Sequence, residues 1–197
     1  MTKILGIGGS PRQGGNSDLM LQAVLKGAKG EGVQVEEIYL RYYQYSSCVG
    51  CERCRKDKAC TKLMDGMQLI YPKLEEAKGL VLASPTHQYN VTALMKAFLD
   101  RLYQYYDFTD DHPRQYSSRL ADQGRKAAFA AVCEQTDEHS FGFTLEGMQR
   151  PMQPLGYENV GSVVAYELFH RGKVKNCPDI LEQAEELGRK LALSLNE

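Results

Sequence analysis

Short apolar runs that end in glycine or serine alternate along this chain with segments whose apolar residues recur every three or four positions. That alternation restricts the fold more than any other feature. "KILGIGGS" reads as a buried first strand, and "NSDLMLQAVLKGAKGEG" after it places Leu21, Val24, Leu25 and Ala28 on one helical stripe, with Asn16 or Ser17 suited to cap the start. "VQVEEIYL" and "GLVLAS" are the second and third strands, separated by a cysteine-rich stretch and a helix near "MQLIYPKLEEAK". "TALMKAFLDRLYQY" spaces Leu94, Ala97, Phe98, Leu102 and Tyr105 as a helix buries them, and the polar stretch "DFTDDHPRQYSSRLADQG" follows as a loop. "KAAFAAVCE" and "VGSVVAYEL" complete five strands. Between them "TLEGMQRPMQPLGY" is a helix that Pro151 and Pro154 are expected to break or kink. The last helix, from about Pro178 to Leu195, turns Ile180, Ala184, Leu187 and Leu191 inward. Strands alternating with helices specify an α/β fold with an open, mostly parallel sheet covered on both faces.

At 197 residues, without repeat or linker, the chain is one domain, 1–197, with the cysteine segment as an insertion at about 44–65. Charged residues make up 25% and the net charge is -1, which argues against a general nucleic-acid or membrane surface. Neither a signal segment nor an apolar run of roughly 20 residues is present, so the expected location is the cytoplasm. Disulfides are rare there, and clustered cysteines point to a metal or redox site.

In an open parallel sheet, ligands bind beyond the carboxyl ends of the strands. Three loops reach that edge: "GSPRQGGNS", "SPTHQYNV" and "CEQTDEHS". Gly6, Gly8 and Gly9 lead into the first, but Pro11 stands where G-x-G-x-x-G requires its third glycine, so the dinucleotide fingerprint fails. What remains suits a phosphate monoester. The hydroxyls of Ser10 and Ser17, the guanidinium of Arg12, the amide of Asn16 and the free N–H groups of a helix start converge on one dianion.

Four of the six cysteines, Cys48, Cys51, Cys54 and Cys60, lie within "CVGCERCRKDKAC". C-x2-C-x2-C lets a short loop wrap three thiolates around a cubane, with the fourth local to it. Zinc more often takes two separated knuckles, and free or oxidised thiols are the third reading. Arg53, Arg55, Lys56, Lys58 and Lys62 outnumber Glu52 and Asp57 here; they are either solvated loop charges or a surface that steers an acidic carrier such as ferredoxin.

"GSPRQGGNS", "CVGCERCRKDKAC" and "SPTHQYNVTALMKAFLDR", in that order, resemble the iron-sulfur flavoproteins, a branch of the flavodoxin-like FMN reductases. The resemblance implies a five-stranded sheet of order 2-1-3-4-5 and an FMN whose phosphate lies against Ser10, Arg12, Asn16 and Ser17. It also implies a 4Fe-4S cluster on the four cysteines and an isoalloxazine ring flanked by Pro85, Thr86, His87, Tyr89 and Asn90. His87 is the group there able to give a proton to a reduced ring or a substrate. The implied protein is a homodimer or homotetramer that exchanges electrons with ferredoxin or takes them from NAD(P)H. Without a working cluster it is an NAD(P)H-dependent FMN or quinone reductase, and without a substrate of its own a flavodoxin-like carrier.

Overall fold

The computed structural model describes residues 2–196. β1 (Lys3–Gly8), α1 (Asn16–Gly30) and β2 (Gln34–Tyr39) open the chain; the cysteine segment follows, with one short helix, α2 (Arg53–Asp57). Next come α3 (Met67–Glu76), β3 (Gly79–Pro85) and α4 (Ala93–Arg101). The polar stretch predicted as a loop contains a small antiparallel hairpin of β4 (Tyr106–Phe108) and β5 (Tyr116–Ser118). Aromatic packing accounts for it: Tyr106 meets Tyr116 edge to face at 5.4 Å, and Phe108 stacks on Tyr103 at 5.1 Å. β6 (Arg125–Val132), α5 (Glu138–Phe141), α6 (Thr144–Leu155), β7 (Tyr157–Ala165) and α7 (Pro178–Ser194) complete the order.

The main sheet runs β2-β1-β3-β6-β7, all parallel. Counting only its own strands, this is the expected 2-1-3-4-5 order of a flavodoxin-like fold. The central strands are buried on both faces, hence their continuous apolar runs. Alternate residues feed two cores: Ile4, Val81 and Ala128 face α1 and α7, while Leu5, Leu82 and Phe129 face α3, α4 and α6. α1 and α7 touch backbone to backbone at Gly27 and Gly188; a Cβ on Gly188 would stand 1.8 Å from the carbonyl oxygen of Val24.

α6 departs from expectation, running unbroken through Pro151 and Pro154. Its buried stripe of Met148, Met152 and Leu155 supplies tertiary stabilisation that outweighs the two missing backbone donors. The start of α1 departs too. Gly15 is its N-cap and no side chain caps it. Asn16 instead receives Val174 N–H at 3.1 Å and donates to the His170 carbonyl at 3.0 Å, which ties the loop after β7 to the helix start.

Candidate functional site

At the carboxyl edge of the sheet the loop after β1 meets the loops after β3, β6 and β7 around a cleft of about 250 Å3. Ser10, Arg12, Asn16 and Ser17 line it together with Pro85, Thr86 and His87, so seven of the nine expected flavin-binding residues line one cleft. The floor offers hydrogen-bond donors. Among the described residues the N–H groups of residues 15–18 have no acceptor, as at any helix start, and Ser17 beside them is 2% exposed. Ser10 shapes the turn: its hydroxyl accepts Arg12 N–H at 3.1 Å, and its carbonyl accepts Arg41 at 3.1 Å. Arg41 is in turn locked to buried Asp18 at 2.9 Å, and Asp18 also accepts Gly14 N–H. Arg12 leans on the loop after β7, donating to the Phe169 carbonyl at 3.3 Å with its guanidinium 5.4 Å from the Phe169 ring.

The ring-side loop is a two-residue turn. His87 and Asn90 exchange backbone hydrogen bonds at 2.8 and 3.1 Å, and the two residues between them, Gln88 and Tyr89, both adopt positive φ. Phe143 N–H holds the Tyr89 carbonyl at 2.7 Å, and Thr144 donates to the Thr86 hydroxyl at 2.9 Å. Tyr89 and Asn90 lie outside the cleft lining, on the flank that packs against residues 142–147. Gln88, Cys133, Glu134, Gln135, Phe169 and Arg171 join the lining instead. The residues after β6 sit in a loop already placed at this edge by strand alternation; those after β7 carry no comparable signal. Burial pushes the Cys133 thiol up to about 11, which makes it a packing group at neutral pH.

The four clustered cysteines line a second cavity, of about 360 Å3, with Arg53, Lys62, Arg101, Tyr103 and Gln104. Cys54 and Cys60 are half-buried, Cys48 and Cys51 exposed. Burial pushes the Cys54 thiol up, and the neighbouring Cys60, Cys48 and Cys51 push it further. Among the described residues no three or more His, Cys, Asp or Glu side chains are drawn tightly enough to hold a metal ion. Cys60 is fixed from both sides, its N–H on the Gln104 side chain at 2.7 Å and its carbonyl on Gln68 at 2.9 Å.

α4 joins the two sites. Thr92 caps its start and hooks the Gly9 carbonyl at 2.7 Å, beside the anion loop, while Arg101 at its other end lines the cysteine cavity. Nine residues at 1.5 Å each separate the two ends by roughly 14 Å. Arg101, Asp65, Gln68 and Gln104 carry no signal of this role in the sequence, since charged and amide residues scattered over forty positions show no pattern until the chain folds.

Residues 2–135 match the family model for NADPH-dependent FMN reductase. An iron-sulfur flavoprotein of Archaeoglobus fulgidus is 32% identical over 190 residues, which cover 96% of this chain and 79% of that protein. An iron-sulfur flavoprotein of Methanocaldococcus jannaschii is 35% identical over 99 residues, 50% of this chain and 51% of that protein, so the match spans about half its length. Among solved structures, an NAD(P)H:quinone oxidoreductase from Methanothermobacter marburgensis superposes with a TM-score of 0.72 at 18% identity, over 95% of this chain and 98% of that one. That likeness is one of fold. The strand order, the anion loop after β1 and the matches in sequence agree, and the chain belongs to the NADPH-dependent FMN reductase family, with iron-sulfur flavoproteins among its relatives, as a flavin-dependent oxidoreductase of flavodoxin-like fold.

Proposed function

We propose that the chain is an electron-transfer flavoprotein that holds FMN in the cleft at the sheet edge and a 4Fe-4S cluster in the cysteine cavity, and exchanges electrons with a carrier of the ferredoxin type. The observation that carries this reading is the convergence of all four clustered cysteines on one cavity at the far end of α4, the helix whose first turn is tied to the anion loop. The donor set fits a cluster better than a single ion. Tetrahedral zinc draws its sulfurs to about 3.8 Å from one another, as Zn–S bonds of about 2.3 Å require. Thiolates on the corners of a cubane stand further apart, and the cavity of about 360 Å3 leaves room for them. FMN supplies the exchange between two-electron and one-electron chemistry, and an iron-sulfur cluster supplies single electrons.

The chain's own residues then have separable tasks. Ser10, Ser17 and the N–H groups of residues 15–18 receive the phosphate, Arg12 closes over it, and Asn16 holds the loop after β7 in place. Pro85, Thr86 and His87 border the ring, with His87 placed to hold a proton; Tyr89 and Asn90 shape the turn that presents them. At the cavity rim Arg55 and Lys58 are engaged by Tyr103 and Asp107, whereas Arg53, Lys56 and Lys62 make no ion pair among the described residues. These three support an acidic partner. The exposed Tyr89 and Phe143 beside the cleft support assembly as a homodimer or homotetramer, and the reduced thiols the reading needs accord with the cytoplasm.

A second reading is an NAD(P)H-dependent FMN or quinone reductase without a working cluster, favoured by the family description and by the quinone oxidoreductase of the same fold. Anaerobic purification with iron, sulfide and FMN analysis separates the two. About four irons and four sulfides with one FMN per chain support the first. FMN without iron, bleached rapidly by NADPH, supports the second.

A further inference from the structure

The segment from Ser46 to Asp65 carries all four clustered cysteines and is fastened unevenly: Arg55, Lys58 and Cys60 are held by Tyr103, Asp107 and Gln104, but its first part is not. Residues 47–51, with Cys48 and Cys51, make no hydrogen bond among the described residues, and α2 is barely more than one turn. The two ends of the segment are gripped by one side chain. Arg101 is 2% exposed, and its Nη1 donates to the Ser46 carbonyl at 2.9 Å and to Asp65 Oδ2 at 2.7 Å. Its Nη2 reaches Asp65 Oδ1 at 3.2 Å and the Leu63 carbonyl at 3.4 Å, while Nε donates to the Tyr71 hydroxyl at 3.2 Å. Asp65 completes the knot by accepting Ser46 N–H and Met67 N–H, each at 3.1 Å. Ser46 is thus held through its N–H by Asp65 and through its carbonyl by Arg101, just before the unfastened stretch with the first two cysteines. One turn further along the chain from Arg101, Gln104 holds the N–H of the fourth.

Such a fully satisfied guanidinium fork, keyed to a carboxylate, fixes direction as well as distance, and a lysine supplies neither the planarity nor the five donors. We propose that Arg101, keyed by Asp65, is a positioning residue that closes residues 46–65 into a ring before any cofactor binds, and so sets where Cys48 and Cys51 stand against Cys60. Only the identity of what the ring holds rests on the cluster reading above. The pair also leaves the cavity wall without net charge from these two groups.

The test compares the full chain with its R101K, R101M and D65N variants. On the apo-protein, the rate of tryptic cleavage between Arg53 and Lys62 should rise at least tenfold in all three, while FMN per chain stays at the wild-type value because the cleft lies at the other end of α4. After anaerobic reconstitution with iron and sulfide, iron per chain should fall to half or less. In the fraction that loads, the midpoint potential of the cluster should rise in D65N, which leaves Arg101 unneutralised, and fall in R101M, which leaves Asp65 so; a shift of the same sign in both overturns the keyed pair. Cleavage of R101K and D65N within twofold of wild type overturns the ring even if R101M fails to fold. If the wild-type chain takes up no iron while the variants are still cut tenfold faster, the ring stands and the cluster reading fails. If every chain loads about four irons and is cut at the wild-type rate, the ring fails and the cluster reading stands.

Discussion

Asn16 and Ser17 are neighbours in sequence with different duties. Ser17 lines the cleft with no partner for its hydroxyl among the described residues, whereas both ends of the Asn16 amide are bound to the loop after β7. Ser17→Ala should therefore weaken FMN binding by about 2 kcal/mol, the worth of a hydrogen bond to a charged group, with little change in stability. Asn16→Ala should lower both affinity and stability, the latter by roughly 1–3 kcal/mol, since it leaves buried backbone groups unpaired. Flavin titration followed by fluorescence, paired with urea unfolding, distinguishes the two. Asp65 gives a pH signature. Burial alone would raise its carboxyl, but the hydrogen bonds from Arg101, Ser46 and Met67 outweigh that and hold it below the usual carboxylate value. A carboxylate with a depressed folded value contributes stability that is fully present above its unfolded value, about 3.9, and is lost as pH falls through the folded one. Unfolding by urea between pH 6 and pH 3 should show the advantage of the wild type over Asp65→Asn shrinking toward the acid end; a constant gap would contradict the assignment.

Among the elements, α1 and α7 depend on two glycines that no side chain can replace. A Cβ on Gly188 meets backbone of α1, which cannot rotate aside as a side chain would. Gly188→Ala should cost about 3 kcal/mol or more, at the upper end of overpacking, read as a lowered urea midpoint. Gly30 is the control: it ends α1, and a Cβ added there would meet nothing within 4 Å, so Gly30→Ala should stabilise by up to about 1 kcal/mol. α6 shows the same hierarchy from the other side. Two prolines argue locally against a helix, yet a stripe of buried methionines and leucine keeps it helical.

For the molecule as a whole, the proposed cluster in the cavity at the far end of α4 would make electron exchange with a carrier depend on the rim of the cysteine site. Replacing Arg53, Lys56 and Lys62 together by glutamate should slow association with a reduced acidic carrier about tenfold at low ionic strength. The difference should fade toward about 1 M salt, where the screening length is about 3 Å. Stopped-flow reduction at several salt concentrations provides the measurement, and a salt-independent rate would place docking elsewhere.

The sequence by itself determined the layout. Short continuous apolar runs mark strands buried on both faces and period-3.6 stripes mark helices, so five strands, their helices and the cysteine insertion were legible, as were the anion loop and the cysteine spacing. These are local signals, because each depends on residues within one or two turns of one another. Tertiary structure decided what sequence distance conceals. It joined Arg101 to Ser46 and Asp65, and Asn16 to residues 170–174. It set Tyr89 and Asn90 outside the cleft lining and brought Phe169 and Arg171 into it, and it kept α6 whole. The physical reason is common to all of these: a side chain's partner is chosen by where packing brings the backbone, and hydrogen bonds between residues tens of positions apart leave no periodicity to read.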